Sequence, residues 1–593
     1  MSKGVCKEVK IRKFIGVLVL TALTLGMAGA SAVDVEDEQW VGPPELRQFN
    51  NLADPPHSYI MEEVANENTV VSHIFANYYS QNPADFERYI CTNITEGKCA
   101  GANDYVYASV FPTCQSAEDI NCVGSLTAFG ADGKPSSGTF SEYSVPNHFN
   151  NFKAVPEIGL PEGSTGGIWT VTGAPHKFGN QYAVFVIAEG RTSLRNKNGW
   201  PAAYDALSAR IVPVSVQKTS KRTSGWGTFQ DNLLRPDTKA NTRGGPFYDN
   251  NEGFRCVAPY GINDDQCLIA HAFPENVRFK LSVQLPKAPL GWIHGRMIDP
   301  AIDISKTGSN YTINVEANPA RIPSIFHAAG WSQLPANLQS YWESLDTLDC
   351  SNNACGSRSS TNYSIPMGKQ TTQITAANFG AEAMKQLKLY LPLVNDKAIA
   401  SPSTWAWRTL PSGEMSGANA CFTNGDGVKG IVTTNASAYS AGPPEFKNGI
   451  LNYQVAAPHF SPDGAVFKGD YTLVLDSKVA RCLYKFSNAP IQASISVLSD
   501  KGEASVATTT VSEKDGWLRL VARNFEFSSP TVQVKLTQEI PTVAPAPSVA
   551  PTNAPVTIVK PVAKQISITC VKGKTSKKVT ADKPACPKGY TKK

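Results

Sequence analysis

Short apolar runs separated by turn residues dominate the chain from Cys91 to about Val216. They include DYVYASVF, GGIWTVTG, QYAVFVIAEG and ARIVPVSV, divided by GADGKPSSG and RNKNGWP. This rhythm predicts an all-β region. Alternation is clearest from Val277 to Leu285, where every second residue is apolar. Such a strand has one buried and one wet face, as in an antiparallel sheet. Ser309–Glu316 predicts a second strand of this kind, whereas VVSHIFANYY, residues 70–79, fits either a helix or a strand. The period then changes. Leu334, Leu338, Tyr341, Trp342, Leu345 and Leu348 mark one helical face, with Pro335 suited to the first turn. Phe379, Ala383, Met384, Leu387, Tyr390 and Leu391 predict a second helix over Thr375–Leu391, ended by Pro392. From Ser401 to Leu536 the pattern is β again: YTLVLDSKVARCLYKF, IQASISVL, ASVATTTVSE, GWLRLVA and TVQVKLTQ all read as strand segments.

The expected fold class is therefore mainly β. It comprises antiparallel β-sandwich-like domains, a small helical segment, a Pro-rich linker and a short basic C-terminal module. The body is too long for one ordinary domain. The expected divisions are a β domain over 33–216, a β domain with two helices over 217–400, and a sandwich-like region over 401–538. Residues 539–563 are rich in Pro, Ala and Val, which suits an extended spacer. Residues 564–593 form the basic module.

The first 32 residues read as a secretory signal peptide. Lys3, Lys7, Lys10, Arg12 and Lys13 precede the apolar run FIGVLVLTALTLGMAG, and Ala30-Ser31-Ala32 is a small-residue cleavage site. No later stretch is apolar for long enough to predict a membrane-spanning helix. The whole chain carries +5. The signal holds +4 and residues 564–593 hold +8, from nine Lys and one Asp, which leaves −7 for residues 33–563. Nucleic-acid binding calls for positive charge on the folded body with interleaved aromatics, so this balance argues against it.

Cleavage would leave twelve of the thirteen cysteines. In order they fall into close pairs, Cys91 and Cys99, Cys114 and Cys122, Cys256 and Cys267, Cys350 and Cys355, Cys570 and Cys586, with Cys421 and Cys482 as one long pair. In an exported chain this predicts disulfides. No CxxC occurs and no His lies at ligand spacing from these cysteines, so no metal or other cofactor is expected.

The chain contains no GxSxG, HExxH, GxxxxGK[ST] or GxGxxG. The eight His are scattered, and a structural role is the expectation for each. Asn424-Gly425-Asp426-Gly427 lacks the further oxygen ligands of a calcium loop and reads as a tight turn. Trp405 and Trp407 alternate in STWAWRTL and would share one strand face, either as core anchors or as a stacking surface for a sugar ring. Lys572, Lys574, Lys577 and Lys578 cluster in the basic module. They are candidates for contact with an anionic cell-envelope polymer or lipid head groups.

SKVARCLYKFSNAPIQASISV, followed by GWLRL and SSPTVQVKLTQ, resembles a segment of uncharacterised secreted actinobacterial proteins. ITCVKGKTSKKVTADKPACPKGYTKK resembles the short C-terminal module that ends many actinobacterial envelope proteins. The resemblance covers about 477–593. It implies an extracellular or cell-envelope location and carries no activity or catalytic residue with it. The expectation is a secreted, envelope-associated interaction or structural protein that binds surface polymers or glycans. The alternative is an extracellular hydrolase acting on polysaccharide or peptide, although no catalytic motif speaks for an enzyme.

Overall fold

A computed structural model of the chain describes residues 36–39, 56–63, 72–79, 86–142, 151–195, 197–201, 203–218, 256–260, 266–346, 371–376, 380–440, 442–498, 504–505, 508–527, 531–538, 566–573, 575–581 and 584–593. The fold is mainly β, with few helices, as the periodicity predicts. The chain divides into two compact units, Met1–Glu539 and Ile540–Lys593.

The first unit is organised on one long mixed sheet. From one edge its strands are Glu87–Cys91, His73–Tyr78, Asp104–Val110, Gln181–Thr192, Ala206–Lys218 and Ser403–Thr409. It continues through the first half of Gly291–Thr307, then Val428–Thr434, Lys468–Asp476, Trp517–Glu526 and Thr508–Lys514. Strands from either side of positions 216 and 400 therefore pair within this one sheet. The Gly291–Thr307 strand bends at a bulge between Ile298 and Ala301, where Asp299 has a positive φ of 59°. A bulge of this kind redirects a strand. The second half of the strand enters a second sheet, with Asn310–Arg321, Arg278–Leu285, Cys122–Phe129 and Pro135–Ser137.

The second sheet covers one face of the central sheet. Phe279, Leu281, Val283 and Leu285 pack there with Val184, Val186, Leu207, Ala209, Ile293 and Ile431. A third sheet, built on Ile450–Ala456, Thr531–Gln538 and Ile491–Leu498, covers the opposite face farther along. Its Leu451, Tyr453, Val532 and Val534 meet Trp292, Val432, Leu473, Leu475 and Leu520. Adjacent residues of single strands thus enter different cores: Ile293 the first and Trp292 the second, Val474 the first and Leu473 the second. Gly430 lies under the indole of Trp292, and a Cβ there would run into the ring.

A smaller sheet of Ile325–Gly330, Pro56–Glu62 and Thr371–Ala376 carries the helical pair. The first helix is Ala336–Asp346, within the predicted span. The second is Ala381–Tyr390, shorter than predicted. Its start is displaced because β-branched TTQITA forms a strand and Gly380, at φ 99°, precedes the helix. Ser477–Tyr484, read as part of a strand segment from sequence, is also a helix. The Asp476 carboxylate accepts from the Lys478 N–H at 2.7 Å, and Val479, Ala480 and Leu483 form the buried stripe. His73–Tyr78 is a strand, which resolves that open choice. Asn424–Gly427 turns the chain, with Gly425 and Gly427 at φ 79° and 78°.

Four expected disulfides are present: Cys91–Cys99, Cys114–Cys122, Cys421–Cys482 and Cys570–Cys586. Cys350 and Cys355, and the side chains of Cys256 and Cys267, lie outside the described part. The second unit is a three-stranded sheet, with Ile566–Lys572 between Thr575–Ala581 and Thr591–Lys592, stapled by Cys570–Cys586. The linker residues 539–563 lie outside the described residues.

Loop length should rank the disulfides. Cys421–Cys482 spans 61 residues and joins the Ala420–Thr423 turn to the Ser477–Tyr484 helix, whereas Cys114–Cys122 spans 8. Chain entropy gives about 4 kcal/mol for the longer loop and about 2.5 for the shorter. Denaturant unfolding of the two paired Cys→Ala variants should show the larger loss at 421/482. The reverse order would refute a loop-entropy origin.

Candidate functional site

Register across the central sheet places polar residues in two parallel rows. Phe185, Arg210, Ala406 and Arg296 face one another on four neighbouring strands, and so do Ile187, Ser208, Arg408 and His294. Residues in register share a face, about 5 Å from their neighbours. Ala406 has only a methyl group between two arginines, and its row encloses a hollow of about 170 Å³. Glu63, Glu189, Thr404 and Tyr439 complete its wall.

Two of the arginines are held rigidly. Arg296, 4 % exposed, donates from Nε to Glu63 Oε2 at 2.9 Å. Its other nitrogens donate to the carbonyls of Thr434 and Ala436 at 3.0 and 2.6 Å. Arg408 forms a two-pronged pair with Glu414 at 2.7 and 2.8 Å. Burial opposes the Arg408 charge, but its hydrogen bonds to Glu414 and Tyr439 and the Glu414 charge outweigh it and raise its pKa. The third, Arg210, lies 4.8 Å from the Phe185 ring centre.

His294 sits among these cations. Its ring stacks on Tyr439 with centroids 3.9 Å apart and planes 5° from parallel, and Arg296 lies 5.0 Å from the same phenol ring. His294 is 3 % exposed. Burial, then the charges of Arg296 and Arg408, push its pKa well down, so the imidazole is neutral. Its Nε2 has no hydrogen-bond partner among the described residues. A buried polar atom in that state costs free energy unless a ligand or water satisfies it. Burial raises Tyr439 in spite of both arginines, which keeps the phenol neutral. At the rim, desolvation and then the charge of Asp205 raise the Glu189 pKa. The hollow therefore joins guanidinium charge with a neutral ring nitrogen that needs a partner. That combination suits an oxygen of an anionic group.

The structure places Trp405 and Trp407 in the first core, at 0 % and 2 % exposure, and Trp407 also contributes to the lining of the hollow. The opposite face of the same strand, Thr404, Ala406 and Arg408, forms part of the hollow. Lys572, Lys577 and Lys578 are exposed on the hairpin of the second unit, and Lys574 lies outside the described residues. Arg210, Arg296 and Arg408 escaped the sequence reading. Their signal is a charge within an otherwise apolar strand, as in GWIHGRMI and ARIVPVSV, which also fits an ordinary solvent-facing position. Among the described residues no group of three or more His, Cys, Asp or Glu could hold a metal ion. His57 lies in the helical region's core, its Nε2 2.5 Å from the Tyr390 hydroxyl, which also accepts from Trp342 Nε1 at 2.8 Å. No family model, curated protein or solved structure matches this chain.

The His294 environment sets a pH dependence. Its folded pKa lies below the ordinary 6.5. Below about pH 6.5 the unfolded chain takes up a proton that the folded chain does not. The stability due to neutral His294 is complete above that pH and is lost as pH falls, by up to about 1.4 kcal/mol per unit. Unfolding free energy should therefore fall more steeply between pH 6.5 and 5 in the wild type than in His294→Gln. Asp470, raised by burial to about 6 against the charge of Arg523, acts in the opposite sense in both proteins and cancels in the comparison. Parallel curves would refute a buried neutral imidazole.

Proposed function

We propose that this chain is an exported, cell-envelope-associated binding protein that takes an anionic group of a surface polymer into the Arg210–Arg296–Arg408 hollow. The observation that carries this reading is the convergence of three guanidiniums on a cavity with the unsatisfied His294 Nε2. A volume of about 170 Å³ suits one carboxylate or phosphate group with part of its sugar. The described disulfides support an oxidising compartment, and no helix of the described residues is long and apolar enough to cross a membrane. The resemblance of residues 477–593 to secreted actinobacterial envelope proteins supports the same location.

Two contacts of different kinds follow. The hollow supplies fixed, partly buried charge, which selects a group by geometry. The second unit supplies exposed lysines, which attract any anionic surface through short-range, salt-sensitive forces. Each such lysine is worth about 1 kcal/mol near an anionic lipid surface, so a cluster is needed for useful attachment.

Calorimetry with uronic-acid oligosaccharides, glycerol-phosphate oligomers and neutral glucans tests the hollow. One of the two anionic classes should bind and the neutral glucans should not. Arg210→Ala should weaken that binding roughly tenfold to a hundredfold, the range for a charge-assisted hydrogen bond. Ala406→Leu should abolish it by filling the floor while the unfolding midpoint stays close to that of the wild type. Equal binding by neutral glucans, or no effect of either variant, would overturn the reading.

The second unit is tested separately. Residues 540–593 fused to an inert secreted reporter should be retained in the wall fraction more than a version with Lys572, Lys574, Lys577 and Lys578 changed to Gln. The excess should vanish in high salt. Equal retention of both versions would remove the electrostatic role of the lysines.

A further inference from the structure

A second polar array lies apart from the hollow. Ser215 belongs to the strand Ala206–Lys218, five positions beyond Arg210, and an odd step along a strand points it to the opposite face. Its Oγ is 2.7 Å from His271 Nε2. His271 Nδ1 is 2.9 Å from Glu36 Oε2, and Glu36 Oε1 is 3.4 Å from Lys177 Nζ. A carboxylate can only accept from Nδ1–H, so the lone pair of the neutral ring lies on Nε2, facing the serine hydroxyl.

The imidazole is fixed on every side. It is 1 % exposed, and its backbone N–H donates to the Pro213 carbonyl at 2.9 Å. Its ring stacks on Phe178 with centroids 4.2 Å apart and on His176 at 5.5 Å. Ser215 is only half-buried, and Phe178 is 47 % exposed. A nucleophile, a base within hydrogen-bond reach and an acidic group orienting that base form the arrangement that activates serine in acyl transfer.

We infer that Ser215 is a catalytic nucleophile for carboxylic esters, with His271 as its general base and Glu36 as the positioning residue. Ser215 Oγ attacks the ester carbonyl carbon and its proton passes to His271 Nε2. The tetrahedral adduct collapses, the ester C–O bond breaks, and the leaving alkoxide takes the proton from His271. Water then attacks the acyl-serine by the same route, giving the free acid and restoring the hydroxyl. No electrons are exchanged with any other partner. The Phe178 ring beside the imidazole makes a short apolar acyl group the favoured one.

The test uses the full chain with an alkyl fluorophosphonate probe and p-nitrophenyl acetate and butyrate. Mass spectrometry should find one adduct, on the peptide containing Ser215, and Ser215→Ala should abolish both adduct and ester turnover. His271→Gln should slow turnover by about 100-fold or more, the contribution of a general base. Glu36→Gln should slow it about tenfold, in kcat rather than KM, and Glu36→Asp should restore most of the loss. Unfolding midpoints confirm that each variant is folded. A folded wild type that forms no adduct on Ser215 overturns the inference, and so does ester turnover that survives Ser215→Ala. A loss in Glu36→Asp equal to that in Glu36→Gln removes Glu36 from the mechanism.

Discussion

Burial of the central sheet on both faces is the constraint on which the rest depends. Every residue of Val428–Thr434 is buried, as are all but the ends of Lys468–Asp476. Such strands cannot alternate apolar with polar, because both faces enter a core. Each large apolar side chain contributes about 1.5–3 kcal/mol when buried, so two cores sharing one sheet gain from both faces of the same residues' neighbours. The cost falls on polar groups in the middle of the sheet, which must be satisfied internally. Asn435 illustrates the solution: its Nδ2 donates to the Lys468 carbonyl and its Oδ1 accepts from the Asp470 N–H, at 2.9 and 2.8 Å.

Charged residues can occupy the hollow only because the same rule is obeyed there. An arginine buried without partners would be far more costly than one left in water. Arg296 is matched by Glu63 and two backbone carbonyls, and Arg408 by both oxygens of Glu414. These pairs fix the guanidiniums in place, and burial together with the charges of Arg296 and Arg408 keeps His294 neutral. His294 Nε2 is left without a hydrogen-bond partner among the described residues beside these matched arginines, and the proposed reading takes it as a contact for the ligand.

Local features of the chain were legible and long-range ones were not. Alternation in Arg278–Leu285 was read directly, because that strand has one wet face and its burial alternates residue by residue. The Ala336–Asp346 helix followed from its apolar stripe. Ser477–Tyr484 was hidden because its short stripe follows directly on a strand that is apolar on both faces. The hollow draws on residues 63, 210, 296, 408 and 439, which only the pairing of distant strands brings together. STWAWRTL announced two faces through its alternating tryptophans. Nothing local, however, stated that the side opposite the indoles would meet Arg210 and Arg296. Glu36 is more remote still, since it reaches His271 across 235 positions of sequence.

The two cationic features differ in how they treat water, and this separates their roles under the proposed reading. Lys572, Lys577 and Lys578 are exposed, so their attraction is screened within about 8 Å at physiological salt and does not depend on the shape of the partner. Arg210, Arg296 and Arg408 line a hollow floored by aligned strands, where screening is weaker and positions are fixed. A mobile polymer surface can be met by the first kind of charge without loss of side-chain freedom. Recognition of one group on that polymer requires the second kind, since only a fixed donor distinguishes a carboxylate or phosphate from the neutral hydroxyls around it. Both kinds of charge in one chain suit a protein that is first concentrated at a surface and then selective on it.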